Sequence, residues 1–255
     1  MIIVECEQGS PEWHRARAGV ITASMFATAR SKVGCLDDRQ QQFVNLRLAG
    51  APEKAAAEAA GYKTLPKSDI ITRALNGEKV GDYSDKAKDY AFRLAVERIS
   101  GEPLDEGFET WQMRRGHDLE PSARMEHEAR TGLFVQRCGF MKTDDGLFGV
   151  SVDGLINDDG GSEYKCFVAP DRLRSIYIDG DFTDVHDQSM GGMWISGRKW
   201  WHNCLYCPAL EPAGKQFWFQ EFKRDEDYIE ALEKDLWEFA MLVAQYEKVL
   251  RQQAA

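Results

Sequence analysis

The chain has 255 residues, with 32 Lys+Arg against 42 Asp+Glu and a formal net charge of −10. Hydrophobic residues at 43% and charged residues at 29% describe an ordinary globular chain long enough to bury a core, which excludes a mainly disordered, collagen-like or disulfide-scaffold protein. The acidic total argues against a broad DNA-coating basic surface, but an enclosed basic groove on an acidic particle gives the same total.

In chain order, a short apolar strand comes first. The loop Gly9-Ser10-Pro11 leads into a helix over residues 13–17. Gly19-Val20-Ile21-Thr22-Ala23-Ser24 then precedes a helix from Met25, with Ser24 or Thr22 as its N-cap. Residues 35–83 read as a helical and loop excursion, Ala/Glu-rich up to Gly61 and loop over 62–83. A helix over 84–100 is capped by Ser84, carries Ala87, Ala91, Leu94, Ala95 and Ile99 on one face, and stops at Gly101. The next helical region covers 109–131; Pro121 either kinks it or stands in the first turn of a new helix.

From residue 133 the texture is strand-like. Residues 133–141, 147–152 and 162–168 form short β runs, separated by the turn signals Asp144-Asp145-Gly146 and Asp158-Asp159-Gly160-Gly161. Residues 182–200 return to helix, weakened at Gly191-Gly192. Residues 202–207 and 216–222 read as strands, and 225–253 as a C-terminal helix. Its Tyr228, Leu232, Leu236, Phe239, Leu242, Val243, Tyr246 and Leu250 make a core-facing stripe. This order predicts one α/β domain over residues 1–255, a central mixed β-sheet flanked by helices.

Six cysteines in 255 residues read as reduced thiols. No apolar run reaches the ~18 residues of a membrane span. The start, Met1-Ile2-Ile3-Val4-Glu5-Cys6-Glu7, has no basic n-region and no long apolar h-region. The expectation is a cytoplasmic protein.

The most informative chemistry lies in Val150-Ser151-Val152-Asp153-Gly154 and Gly161-Ser162-Glu163-Tyr164-Lys165-Cys166. On a strand, i and i+2 share a face, so Glu163 and Lys165 project together and Tyr164 points away. The turn at 158–161 folds the Asp153 segment back beside them, and two carboxylates and an ammonium converge. Hard oxygen ligands with open positions suit Mg²⁺, which keeps waters and completes its shell with phosphate oxygens. A nearby Lys can orient a water, assist its deprotonation or stabilise charge at phosphorus. The plain alternative is a Glu–Lys pair on an exposed strand face.

Other features read more weakly. Arg15/Arg17, Arg30/Lys32, Arg114/Arg115, Arg172/Arg174 and Arg198/Lys199 are basic clusters or solvated patches. Cys204-x2-Cys207 with His202 is half a zinc site without a second ligand pair, so buried strand cysteines are expected. Trp200, Trp201 and Trp218 have the chemistry to stack on bases, but packing is the expectation. His14 and His117 are candidate general bases, which a metal-assisted reaction does not need.

The segment Trp13-His14-x-x-Arg17-x-Gly19-Val20-Ile21-Thr22-Ala23-Ser24, followed in order by Gly116-x3-Glu120, Asp153-Gly154 and Glu163-x-Lys165, resembles the YqaJ-like viral recombinase nucleases. This is the lambda-exonuclease-like family of the PD-(D/E)xK superfamily. The resemblance spans residues 8–30, 111–132, 147–167 and, more weakly, 184–195. It implies a restriction-endonuclease-like core. Asp153 and Glu163 would be metal ligands, completed by the backbone carbonyl of Tyr164, and Lys165 the catalytic lysine. Glu120 would hold a second metal or its water, Arg17 and Ser24 the 5′ phosphate of the substrate end, and Gln188 the edge of the site. It also implies a pair of Mg²⁺ ions per site, with Mn²⁺ able to substitute.

The activity implied is a 5′-to-3′ exonuclease that degrades one strand of linear double-stranded DNA with 5′-phosphorylated ends, leaving 3′ overhangs for recombination. Its partner would be a single-strand annealing protein, its assembly a homotrimeric ring around DNA, and its setting a bacterial host cell with phage or prophage origin. The alternatives are an endonuclease or 3′-directed nuclease of the same core, or a catalytically silent DNA-end-binding scaffold. The chain departs from the family in having Val152 before Asp153, Phe167 after Cys166 and Val185 before Gln188, where the family has proline, proline and tyrosine.

Overall fold

The computed structural model describes residues 1–104 and 111–252. The chain divides into two compact units, one of Met1–Ala29 with Tyr90–Ala255, the other of Arg30–Asp89.

The first unit opens with β1 (Ile2–Val4), α1 (Pro11–Arg17), β2 (Ile21–Thr22), a 3-10 turn (Ala23–Met25) and α2 (Phe26–Arg30). Helix α1 starts where it does because Ser10 Oγ accepts the Trp13 N–H at 3.2 Å and a proline stands in its first turn. The helix expected from Met25 begins one residue later. Thr22 takes the cap position of the 3-10 turn without a side-chain bond, and Ser24 lies inside that turn. Ser24 is therefore not a helix cap.

The second unit holds β3 (Lys32–Val33), α3 (Asp38–Leu48), α4 (Glu53–Ala59), α5 (Asp69–Leu75) and β4 (Asp82–Tyr83). A capping box starts α3: Asp37 accepts the Gln40 N–H at 2.8 Å and Gln40 accepts the Asp37 N–H at 3.0 Å. Phe43, Val44, Ala56, Ala57, Ala60, Ile71 and Ala74 form this unit's own core. Helix α5 corrects the loop expected over 62–83: burial of Ile71 and Ala74 against α3 and α4 stabilises a segment too short to hold itself helical.

Helix α6 (Asp85–Ser100) follows, with Ser84 Oγ accepting the Ala87 N–H at 3.2 Å. Ala87, Ala91, Leu94 and Ala95 are buried as expected, but Ile99 in the last turn is 41% exposed. Then come α7 (Trp111–Thr131), continuous through Pro121, β5 (Val135–Gln136), β6 (Phe140–Lys142), β7 (Phe148–Ser151), β8 (Gly154–Ile156) and β9 (Gly160–Lys165). The chain ends with α8 (Pro170–Tyr177), α9 (Thr183–Ser196), β10 (Trp200–Tyr206), β11 (Phe217–Lys223) and α10 (Glu226–Gln252).

Two mixed sheets result. One has the order β1-β6-β7-β2, with β2 parallel to β7; the other is β11-β10-β9-β8-β5, with β9 parallel to β10. The single strand expected over 133–141 is two strands in two sheets, because the chain changes sheet between Gln136 and Phe140. Helix α7 packs on β9, β10 and β11, and α9 on β7, β9 and β10. Ile229, Leu232, Leu236, Phe239, Ala240 and Val243 of α10 are buried, and Phe239 stacks on Tyr90 at 5.6 Å.

Trp200, Trp201 and Trp218 pack against protein groups. Trp201 is 1% exposed, Trp200 covers Gly160, and Trp218 stacks on Phe182 at 5.2 Å. Among the described residues no helix is long and apolar enough to cross a membrane.

Candidate active site

Strands β8 and β9 pair antiparallel with Gly154 opposite Ser162, and Asn157 (φ +50°) lies in their turn. Asp153 enters β8, and its Oδ2 accepts the Tyr164 backbone N–H at 2.7 Å. Lys165 Nζ donates to Glu163 Oε1 at 2.9 Å. The expected hairpin thus brings Asp153, Glu163 and Lys165 together. Tyr164 points away, its hydroxyl 2.9 Å from His127 Nδ1.

Helix α9 adds Gln188. Its Nε2 donates to Glu163 Oε1 at 2.6 Å, and its Oε1 accepts from Lys165 Nζ at 2.9 Å. The three side chains close a triangle that fixes each of them. Val185, Asp187 and Ser189 are buried around Gln188, and Ser189 Oγ donates to Asn203 Oδ1 on β10 at 2.7 Å, which locks α9 over the sheet.

Glu163 is 6% exposed, and its second oxygen, Oε2, is buried without a hydrogen-bond partner. A buried carboxylate oxygen left unpaired is costly, and a cation would satisfy it. Burial, then the charges of Glu163 and Glu120, push the Asp153 carboxyl well above the usual range, against the pull of the Tyr164 N–H and Lys165. Burial works against the charge on Lys165, but Glu163 and Asp153 outweigh it and hold the ammonium above its ordinary value. Two close carboxylates with one orphaned oxygen fit Mg²⁺, which takes one or two carboxylates and leaves its remaining positions to water and phosphate.

Glu120 stands on α7, where Arg124 one turn on takes its Oε1. Its charge reaches Asp153. Among the described residues, however, no group of three or more His, Cys, Asp or Glu is placed to hold a metal. Arg115, also on α7, donates from Nη1 to the Cys166 carbonyl at 2.8 Å and ties the chain leaving β9 to that helix. Other basic clusters bind protein groups: Arg198 Nη1 donates to the carbonyls of Asn157 at 3.0 Å and Ile156 at 3.2 Å, Arg172 pairs with Asp184, and Arg174 with Asp179.

Behind β9, His127 Nε2 and His202 Nδ1 are 2.8 Å apart, and His202 Nε2 is 3.4 Å from Glu221. His127 is fully buried; burial first, and His202 second, push it down to about 4. Cys204, inside β10, and Cys207, just after it, are buried thiols. Burial, then Asp153 and Glu163, hold Cys204 well above its ordinary value. No sequence periodicity announces this histidine pair, since its members lie on a helix and a strand far apart in the chain.

A second locus surrounds Arg17. Trp13 and Arg17 share a face of α1, with the guanidinium 4.1 Å from the indole centroid. Arg17 Nη1 and Trp13 Nε1 both donate to Ser151 Oγ, at 2.8 and 2.9 Å. Residue type alone gives Ser151 no task; its position two residues before Asp153 is the one sequence signal that points to it. Arg17 and Ser24 line one cavity of about 310 Å³. Ser24 is exposed there, 3.5 Å from Thr22 Oγ1. Among the described residues no carboxylate lies within ion-pairing distance of Arg17. Burial draws its guanidinium down to about 10, so it stays charged at neutral pH.

The chain is similar in fold to an alkaline exonuclease from Laribacter hongkongensis, solved alone and in complex with dAMP. Both structures give 24% identity and a TM-score of 0.67, covering 96% of this chain and 98% of that one. A phage related exonuclease from Haemophilus somnus is similar at 13% identity and a TM-score of 0.51, covering 92% of this chain and 96% of that one. These likenesses establish the restriction-endonuclease-like fold. No curated protein matches the chain. Residues 72–199, half of the sequence and including Glu120, Asp153, Glu163, Lys165 and Gln188, match the YqaJ-like viral recombinase domain, and the chain belongs to that family.

Proposed function

We propose that this protein is a metal-dependent DNA exonuclease that degrades one strand of a linear duplex from its 5′ end and leaves 3′ overhangs. The observation that carries the reading is the convergence of Asp153, Glu163, Lys165 and Gln188 with Glu163 Oε2 buried and unpartnered. The exonuclease names of its structural neighbours support the reaction class.

Asp153 and Glu163 would hold Mg²⁺ or Mn²⁺, with the Tyr164 carbonyl as a further ligand and Glu120 serving a second ion or its water. A bound divalent cation supplies Lewis acidity at the scissile phosphate and an activated nucleophile. The Lys165 ammonium, fixed by Glu163 and Gln188, stabilises negative charge that develops on the phosphoryl oxygens. Arg17 supports the 5′ polarity: a guanidinium without a carboxylate partner among the described residues, steadied by Trp13, presents a planar fork matched to phosphate oxygens. Ser24 lines the same cavity and offers a hydroxyl. A terminal phosphate held there would set which phosphodiester meets Asp153.

The same reading includes a single-strand annealing protein as partner, a homotrimeric ring around DNA and action in the cytoplasm of a bacterial host. The test is digestion of linear duplex labelled separately at the 5′ and 3′ ends, with Mg²⁺ and with EDTA, beside a closed circle. Early release of the 5′ label with Mg²⁺ alone is expected. Release of the 3′ label first, or cutting of the circle, would replace the reading with a 3′-directed nuclease or an endonuclease. No cleavage with Mg²⁺ would point to an end-binding scaffold.

A further inference from the structure

Strand β9 has two faces. Glu163 and Lys165 meet Gln188 of α9 on one, while Ser162 and Tyr164 lie on the other, under α7. The pairing of β9 with β8 ends at Gly154 opposite Ser162. Past that pair β10 holds one side of β9, with Tyr164 opposite Cys204. On the other side the Tyr164 N–H goes to the Asp153 side chain at 2.7 Å. Tyr164 is thus the backbone partner of one candidate ligand and the chain neighbour of the other, Glu163.

The Tyr164 side chain is tethered on the α7 face. Its hydroxyl lies 2.9 Å from His127 Nδ1 and accepts from Ser162 Oγ at 3.5 Å. His127 Nε2 is 2.8 Å from His202 Nδ1. His202 stands opposite Glu221 across β10 and β11, with its Nε2 3.4 Å from that carboxylate. Burial depresses both imidazoles and keeps them neutral. An ionised carboxylate only accepts, so each ring donates from Nε2 and accepts at Nδ1, and the Tyr164 hydroxyl donates to His127.

The chain of hydrogen bonds therefore has one direction, and it runs through an apolar setting: Phe217 and Phe219 lie 5.7 and 5.6 Å from the His127 ring. A satisfied buried network adds rigidity more than net stability. His127 also follows Glu120 by seven residues, two turns along one face of α7. The same bond to Tyr164 thus ties the helix that carries Glu120 to the strand that carries Glu163.

We propose that His127, backed by His202, is a positioning residue for the divalent cation site: it anchors Tyr164, whose N–H in turn sets the Asp153 carboxylate. The inference rests on the reading of Asp153 and Glu163 as cation ligands.

The experiment titrates MgCl₂ calorimetrically into the DNA-free protein, beside thermal melting in EDTA and digestion of linear duplex over a range of Mg²⁺ concentrations. Tyr164→Phe and His127→Phe are each expected to weaken Mg²⁺ binding about tenfold, the scale for groups that orient metal ligands. Half-maximal digestion should move to correspondingly higher Mg²⁺, while the rate at saturating Mg²⁺ approaches that of wild type. His127→Gln, whose amide can accept the Tyr164 hydroxyl and donate to His202, should retain part of the affinity. Val243→Ala, a cavity in the buried stripe of α10, should lower the melting temperature and leave Mg²⁺ affinity unchanged, which separates positioning from lost stability. Wild-type Mg²⁺ affinity in folded Tyr164→Phe or folded His127→Phe overturns the inference, and so does an equal weakening in Val243→Ala. If Asp153→Asn loses Mg²⁺ binding while Tyr164→Phe keeps it, the cation site stands and only this inference fails. If wild type binds no Mg²⁺, or Asp153→Asn binds it as wild type does, the reading of the site fails and this inference with it.

Discussion

Arg17 Nη1 donates to Ser151 Oγ at 2.8 Å, and Ser151 is the last residue of β7, two positions before Asp153. The guanidinium of the first helix is therefore fastened to the strand that delivers a candidate metal ligand. Trp13 Nε1 donates to the same oxygen at 2.9 Å. Ser151→Ala removes the acceptor of both donors, and leaving them unsatisfied should destabilise the fold by about 1–3 kcal/mol. It should also lower the preference for phosphorylated 5′ ends, while Ser151→Thr, which keeps a hydroxyl, should retain most of it. Thermal melting beside digestion of both end types checks this; a Ser151→Ala protein equal to wild type in both would break the link.

The Asp153 carboxyl is pushed up by burial, then by Glu163 and Glu120, so its ionised form is held at a cost in the metal-free protein. Asp153→Asn keeps the shape and an oxygen acceptor for the Tyr164 N–H while removing the charge. Its metal-free melting temperature should be no lower than that of wild type. Digestion should nonetheless fall at least about a hundredfold, since even supporting residues of metal sites cost 10–100-fold. Mg²⁺ should raise the melting temperature of wild type, because it binds only the folded site, and leave that of Asp153→Asn in place. Lys165→Ala should likewise abolish digestion but keep DNA-end binding. Digestion near the wild-type rate in either variant would remove these residues from the centre of the chemistry.

The candidate site was the most legible part of the chain, because a hairpin is local. Strand alternation placed Glu163 and Lys165 together, and a turn of Asp and Gly residues returned Asp153 to them. The α10 stripe was equally plain, as period 3.6 over a long helix leaves little choice of face. What failed was set by tertiary contacts. Helix α5 depends on a core gathered from α3 and α4. Strands β5 and β6 looked like one run because a change of sheet leaves no mark in hydrophobicity. Ile99 belongs to the predicted stripe but lies in the final helical turn and stays exposed. Ser24 and Thr22 both read as caps from residue type, and only the local backbone decides for Thr22, at the start of a 3-10 turn. The His127–His202 pair, joined across α7 and β10, had no local signal at all.

Gly191 and Gly192 illustrate how propensity misleads. In sequence they weaken α9, and replacing a mid-helix glycine by alanine is worth about 1 kcal/mol of helix propensity. In the fold, a Cβ at Gly192 would lie 2.9 Å from Trp201, and one at Gly191 would overlap Phe26. Trp201 and Phe26 are 1% and 0% exposed, so neither ring has room to move. Overpacking at about 1–3 kcal/mol outweighs the propensity gain. Gly191→Ala and Gly192→Ala should each therefore lower stability in denaturant unfolding. A gain in either would mean that the rings yield and that the glycines are not there for close approach.

The buried histidine pair makes stability depend on pH. His127 is fully buried between the Tyr164 hydroxyl at 2.9 Å and His202 at 2.8 Å, and it is pushed down from 6.5 to about 4 by burial first and by His202 second. The folded protein keeps the ring neutral where the unfolded chain would take up a proton. Its contribution is thus fully present above pH 6.5 and is lost as pH falls toward 4. At pH 5 linkage puts the loss at about 2 kcal/mol. His202 is lowered by burial too, partly offset by Glu221, and adds a loss of the same sign. Urea unfolding of wild type and His127→Gln at pH 7.5 and pH 5 isolates the effect, because carboxylates common to both chains cancel in the difference. Wild type should lose about 2 kcal/mol more than the variant over this range. Equal losses would mean that His127 titrates in the fold as it does in the unfolded chain, and the relay behind β9 would have no part in the acid lability of the protein.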